Sequence, residues 1–302
     1  MRAMVLAAGL GTRLQPLTLE IPKPVIPVLG QPLCGYAIDF LRLHGVTEFL
    51  LNLHHGPEVV RKRVDAWTNG RFPVEYALEP EILGTGGGIH NAREFLRTGT
   101  LITANSDVIA RFPLDQAIAQ HRKTKALATL VLFPDSARRY TPVHVRDDGK
   151  ISGFGAVGNT TGVTDGFFTG YQIAEPELLD KIPPNAPSCI IRNTYAPLIA
   201  AGAPIFAFMA SGFFLDFGTP ADYLSGVISL LREDGNENRS YIGPQAEVAA
   251  SAVVGPDAAV ESGASVDDDA RVRRAIVWPG ANVSAGAVVE NGILTPKGFV
   301  GG

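Results

Sequence analysis

Apolar residues in the first three-quarters of the chain fall into short runs that alternate with stretches of helical period. Residues 3–8, 47–53, 72–78, 100–104 and 126–133 read as strands, being mostly apolar and too short for helices. Between them, 32–45 carries Leu33, Ile38, Leu41 and Leu43 and stops at Gly45, which predicts a helix with a glycine end. Residues 57–67 place Val59, Val60 and Val64 at helical spacing behind Pro57, a residue suited to a first turn. Residues 85–96 and 113–122 read as two more helices. From 143 to 173 the pattern shortens to strand-like pieces around Asp147-Asp148-Gly149, a hairpin signal. Helices are predicted at 175–182, at 189–201 with Ser188 as cap, and at 220–232, with strands at 205–209 and 213–217. This alternation implies an α/β fold whose mostly parallel sheet is covered by helices on both faces. Such sheets bind ligands beyond the carboxyl ends of their strands, where the loop after residue 8 lies.

Beyond a polar stretch, Glu233 to Ser240, the pattern changes. Ile242, Val248, Val254, Val260, Val266 and Val272 recur every six residues, with Ala246, Ala252, Ala258, Ala264 and Ala270 four behind the first five. The beat slips once near Ile276 and resumes at Val277, Val283 and Val289. A six-residue repeat of one branched and one small residue is the mark of a parallel β-helix. The expected division is therefore residues 1–235 and residues 241–302, the repeat giving about three turns of three faces. All six histidines (His44, His54, His55, His90, His121 and His144) precede the repeat, so it has no imidazole base of its own. An assembling or rigidifying role is expected, with self-association through the short prism.

Hydrophobic content of 46% and charged content of 19% over 302 residues describe an ordered globular protein. A net charge of −4 offers no basic field, which excludes nucleic acid as an expected partner. No apolar run approaches the roughly 20 residues of a membrane helix. The two cysteines, Cys34 and Cys189, form neither a disulfide framework nor a thiolate metal site, so a cytoplasmic setting is expected.

The chemistry concentrates after the first strand, in Gly9-Leu10-Gly11-Thr12-Arg13 and in Lys23 between Pro22 and Pro24. Glycines allow backbone N–H groups to form a concave anion nest. Arg13 adds a fork suited to phosphate oxygens. Flanking prolines stiffen the backbone that presents Lys23. Together they describe a polyphosphate pocket, against the plainer reading of a tight turn with two surface cations. A Walker loop is excluded because no Gly-Lys-Ser/Thr follows, and the dinucleotide fingerprint fails because Leu14 stands at its third glycine.

The run L-A-A-G-L-G-T-R-L-Q-P-L-T followed by P-K-P resembles the signature of the sugar-1-phosphate nucleotidyltransferases, and the closest likeness is to the guanylyltransferase branch with a C-terminal left-handed β-helix. The resemblance implies a Rossmann-like catalytic domain. It also implies a reaction in which a sugar 1-phosphate attacks the α-phosphate of a nucleoside triphosphate and releases pyrophosphate, with Mg²⁺ assisting. Leu6, Ala7, Ala8, Gly9, Gly11, Thr12 and Arg13 would then hold the nucleotide. Arg13 would grip the leaving pyrophosphate and Lys23 the phosphate undergoing substitution. Asn105-Ser106-Asp107-Val108 is similar to the family's metal-Asp motif, and Leu215-Asp216-Phe217-Gly218-Thr219-Pro220 to its second carboxylate segment. Asp107 and Asp216 are thus the implied metal ligands. Glu79-Pro80-Glu81-Ile82-Leu83-Gly84-Thr85-Gly86 resembles the element lining the base, implicating Glu79, Gly84 and Thr85. The sugar would face Asn105, Thr169 and Gly170.

Two departures bear on the sugar. Thr169 replaces the family's Asn, and the stretch from Tyr140 to Gly155 lacks both the Y-G-V glycine and the E-K-P. GTP with mannose 1-phosphate is the leading pair. UTP or dTTP with glucose 1-phosphate or an amino-sugar 1-phosphate is the alternative, and a non-catalytic nucleotide-sugar sensor is the alternative of another class. Retention of Arg13, Lys23, Asp107 and Asp216 together favours the enzyme.

Overall fold

A computed structural model describes residues 1–135, 139–155, 164–184, 186–233 and 238–302. The chain forms two compact units. One comprises residues 1–9 and 34–214, the other residues 10–33 and 215–302. This is not the linear division expected at 235–241: the segment around Arg13 and Lys23, and the helix at 220–233, group with the C-terminal repeat. Residues 234–237 of the expected linker lie outside the described residues.

The first unit is built on a mixed sheet. β1 (Arg2–Leu6) lies between β2 (Glu48–Leu53) and β4 (Leu101–Asn105), parallel to both, and β3 (Val74–Leu78) extends the parallel half beyond β2. Its connections are helices α1 (Leu33–Leu43), α2 (Pro57–Thr68) and α3 (Gly84–Asn91). Leu33, Ala37, Ile38 and Leu41 show the periodicity that buries one face of α1, as the spacing predicts. Leu43 is the exception, 85% exposed at the helix end. The helix expected over 85–96 is two pieces, α3 and a turn at Arg93–Leu96, meeting at Ala92.

Beyond β4 the sheet turns antiparallel. A further short strand, β5 (Val108–Arg111), was not expected, because Asp107 and Arg111 bracket only three buried apolar residues. After α4 (Leu114–Thr124) and β6 (Ala128–Phe133), the hairpin β7 (Pro142–Val145) and β8 (Ile151–Phe154) forms around residues 147–149, as read. The long strand β9 (Thr164–Ala174) runs antiparallel to β4, β6 and β7, with a register shift between Phe168 and Gln172. β10 (Ile205–Met209) pairs parallel with β6. The helix predicted over 189–201 opens as a wide turn at Ile190–Tyr195 before Ala196–Ala200. Ser188 does not cap it: its N–H donates to the Leu83 carbonyl and its own carbonyl accepts from Gly86, while Thr85 Oγ1 accepts the Ile190 N–H at 3.0 Å.

In the second unit the repeat folds as a three-faced stack of parallel rungs. One face carries 240–242, 258–260, 275–277 and 292–294; another carries 247–248, 265–266 and 282–283; the third carries 253–254, 271–273 and 288–290. Val260, Val266, Val272, Val277 and Val283 fill the interior with Ala258, Ala264, Ala270, Ala275 and Ala281. The slip near Ile276 has a plain cause. Three residues, 255–257, turn the corner between Val254 and Ala258, whereas 273 and 274 alone do so between Val272 and Ala275. The slip is thus one residue fewer at the 273–274 corner, and in the full-length corner Asp257 accepts from Arg232 Nη2 at 2.8 Å and pairs with Arg239 at 3.2 Å. Ile242 is 51% exposed, since no rung lies above the first one. At the other end, Gly298–Gly301 folds back antiparallel on 292–295 and covers the last edge. Helix α5 (Pro220–Glu233) starts with a capping box in which the Thr219 and Asp222 side chains bond each other's backbone N–H.

Candidate active site

The first unit contributes the carboxyl end of β1. Leu6 is the last residue of that strand, and Ala7, Ala8 and Gly9 continue it. The Ala7 N–H donates to Asn52 Oδ1 at 2.8 Å, and the Asn52 amide donates to Glu79 Oε1 at 2.7 Å. The second Glu79 oxygen accepts the Leu83 N–H at 3.1 Å. Glu79 is 3% exposed, so it sits behind the loop and fixes the Asn52 amide, which in turn fixes Ala7. Asn52 was missed in the sequence; its only signal is a polar residue inside the otherwise apolar run 49–53.

Gly86, Gly87 and Gly88 are buried because protein fills the space beside them. A Cβ on Gly86 would meet Ser188 Oγ at 2.7 Å, and one on Gly88 would meet Glu79 Oε1 at 2.7 Å. Gly84 and Thr85 are exposed at the start of α3, Gly84 with φ +69°. Asn105 stands opposite Leu6 in the β1–β4 register and is partly buried, as is Asp107 in the turn that follows. Gly170, with φ +87°, leaves room for Asn105: a Cβ there would come within 2.5 Å of the amide. Thr169 is 1% exposed; its hydroxyl donates to the Val131 carbonyl and accepts from the Tyr171 N–H. The expected sugar contact through its side chain is therefore not available, because both functions of the hydroxyl are spent inside the unit.

The second unit holds the cations. Gly11 has φ +64° and opens a single 3₁₀ turn, Thr12–Leu14, that exposes Thr12 and Arg13 while burying Leu14. A Cβ on Gly11 would stand 3.1 Å from Lys23 Cβ and 2.9 Å from Thr18 Cγ2, so the Lys23 stem lies directly against the glycine. Lys23 is 8% exposed and starts the turn Lys23–Val25 between its two prolines. The Arg13 guanidinium lies against Gly218, where a Cβ would sit 3.1 Å from Nη1. Asp216 ends the strand β11 (Phe213–Asp216), partly buried.

Asp107 in the first unit and Asp216 in the second each carry carboxylate oxygen, the donor type of Mg²⁺. Among the described residues no three His, Cys, Asp or Glu side chains form a ready-made cage.

The nucleotidyl transferase family model matches residues 2–233. This chain belongs to that family. The nucleotidyltransferase is 29% identical over 297 residues to a mannose-1-phosphate guanylyltransferase of Mycobacterium tuberculosis, covering 95% of this chain and 82% of the relative. It is 30% identical over 325 residues to a probable mannose-1-phosphate guanylyltransferase 2 of Oryza sativa, covering 100% and 88%. It is 26% identical over 322 residues to a UTP–glucose-1-phosphate uridylyltransferase of Synechocystis, covering 97% and 82%. The crystal structure of HddC from Yersinia pseudotuberculosis complexed with GMP-PN superposes with a TM-score of 0.63 at 23% identity, covering 76% of this chain and 99% of that one, which bears out the fold.

Proposed function

We propose that this nucleotidyltransferase joins GTP to mannose 1-phosphate, forming GDP-mannose and releasing pyrophosphate. The observation that carries the reading is the packing of the Lys23 stem on Gly11, with Arg13 on the turn between them. That arrangement sets two cations on one short loop. A sugar-phosphate oxygen bonds to the α-phosphorus as the bond to the β-phosphate bridge breaks, and the electron pair leaves with pyrophosphate. Both reactants are anions, so a general base has little to do; the demand is for fixed positive charge and alignment. Lys23 would meet the phosphate being substituted and Arg13 the leaving pyrophosphate. The main-chain N–H groups of 8–12 would receive the nucleotide, and Asn105 with Gly170 the sugar. Asp107 and Asp216 would hold Mg²⁺, which when bound offsets negative charge on phosphate oxygens.

The choice of GTP and mannose rests on the relatives named above, which align over 95% and 100% of the chain. UTP with glucose 1-phosphate is the second reading, because a relative aligned over 97% of the chain carries that name. We also take the prism as left-handed, as a contact between two copies of the chain, and the protein as cytoplasmic; no helix among the described residues is long and apolar enough to cross a membrane. Pyrophosphate release measured over a grid of GTP, UTP and dTTP against mannose, glucose and amino-sugar 1-phosphates decides the pair. The proposal expects GTP with mannose 1-phosphate to give the highest kcat/KM. A higher value for UTP with glucose 1-phosphate would replace it, and binding of nucleotide-sugars with no turnover would favour the sensor.

A further inference from the structure

The second unit contains a carboxylate that the reaction does not use and that reaches the catalytic loop. The loop's far end is a tight hairpin in which Pro27–Val28 pairs with Gln31–Pro32. Its two central residues, Leu29 with φ +48° and Gly30 with φ +84°, are both in the left-handed region. A leucine resists that conformation, so the turn needs something to hold it. Glu261 supplies it. This residue follows the rung 258–260, is 1% exposed, and takes the Leu29 N–H on Oε1 at 2.8 Å and the Gly30 N–H on Oε2 at 3.0 Å. The Tyr241 hydroxyl occupies the place a Cβ on Gly30 would need.

Two more links run from the prism to the same loop. Trp278 Nε1 donates to the Tyr223 hydroxyl at 2.9 Å, and that hydroxyl donates to the Pro27 carbonyl at 2.5 Å. Thr295 Oγ1 donates to Glu20 at 2.6 Å. Every residue from Ile21 to Val28 is buried, so little slack separates the anchored hairpin from Lys23.

We infer that Glu261 is a positioning residue for nucleotidyl transfer: from the β-helix it clamps the 29–30 turn and so fixes Lys23 against Gly11. The prism then contributes to turnover directly, beyond any role in assembly. This rests on the role proposed for Lys23. Burial pushes the Glu261 carboxyl up to about 7 against the pull of its two N–H donors, and Tyr241 is the titratable neighbour whose hydroxyl its charge also raises. Both N–H bonds need the ionised form, which prevails above that pH.

The test is a double-mutant cycle in the full chain. Glu261→Gln puts an amide N–H against one of the two backbone donors, so one bond is lost and the turn is released. We expect Glu261→Gln to lower kcat about tenfold with the KM for the triphosphate within twofold, and Glu261→Asp to fall between. On a Lys23→Met background, Glu261→Gln should change nothing further. A tenfold loss that persists on that background means a general structural effect and overturns the inference, as does wild-type kcat in Glu261→Gln. Hydrogen exchange gives an independent reading: the Leu29 and Gly30 amides and the 21–28 segment should exchange faster in Glu261→Gln, and unchanged protection there would refute the clamp. The exchange result stands whichever substrate pair the enzyme uses, so failure of the GTP–mannose assignment and failure of the clamp are told apart.

Discussion

Glu261→Gln also makes a prediction about stability that runs opposite to its effect on rate. Burial raises the carboxyl from its ordinary 4.5 to about 7. At 1.36 kcal/mol per unit, keeping it ionised in the folded chain costs about 3 kcal/mol above pH 7. The sign follows from linkage. A group with a raised folded pKa contributes stability fully present below its unfolded value, near 4.5, and lost as pH rises through 7. Between pH 5 and pH 8 the wild type should lose roughly 2–3 kcal/mol on this account, and glutamine, which does not titrate, should lose none of it. At pH 5 the wild-type carboxyl is itself protonated and sets an O–H against one backbone donor, as the glutamine amide does, so the two side chains are nearly alike there. The variant should therefore be close to wild type at pH 5 and the more stable protein at pH 8, where only the wild type carries the buried charge. Urea unfolding at several pH values, read at Trp278 in the same unit, measures it. Subtracting variant from wild type removes all other titrating groups. A difference constant within about 0.5 kcal/mol across that range would mean that Glu261 does not titrate as its burial requires.

Other outcomes follow from single contacts. Gly11→Ala must take φ +64° and push on Thr18 Cγ2 and Lys23 Cβ, so kcat should fall at least tenfold while circular dichroism is unchanged; normal kinetics would remove the Gly11–Lys23 packing from the account. Asn52→Ala leaves the Ala7 N–H and a Glu79 oxygen without their partner, a loss of about 1–3 kcal/mol for each. It should raise the KM for the triphosphate, measured by initial rates. Asn52→Asp keeps an acceptor for Ala7 but sets carboxylate against carboxylate at Glu79, so its stability deficit should shrink in acid; a pH-independent deficit would contradict the pairing. Thr169→Val removes a hydroxyl bonded on both sides and should cost about 1–3 kcal/mol in a melt, with the ranking of sugar 1-phosphates unchanged.

Much of the fold could be read from periodicity alone. The alternation from β1 to β6 needs only apolar runs of strand length and helices one face of which is buried, and both are local properties. The six-residue beat likewise reports a local rung, and even its slip maps onto one corner residue. What periodicity cannot report is which distant segment a rung touches. Glu261 reads as an ordinary corner charge until Leu29 and Gly30 are seen to donate to it, and the P-K-P loop gives no sign that its hairpin's partner lies 232 and 231 residues on from those two donors. The candidate site divides in the same way. The grouping of Gly11, Arg13 and Lys23 on one loop could be anticipated because it is carried by residue type within one segment. The burial of Thr169 and Glu79 could not be, since a threonine facing a sugar and one bonded to Val131 look alike in sequence. Asn52 escaped for the converse reason: one polar residue in an apolar strand has many uses, and only the neighbouring Ala7 and Glu79 disclose this one.

The central claim is that the loop spanning residues 10–33 supplies the positive charge on which nucleotidyl transfer depends. Its most direct test is the pre-steady-state rate of pyrophosphate release by Lys23→Met at saturating Mg²⁺, triphosphate and sugar 1-phosphate, compared with wild type. Removing one fixed donor from developing charge costs about 10²–10³ in rate. The account predicts a loss in that range with an unchanged circular dichroism spectrum, whereas a rate within threefold of wild type would contradict it.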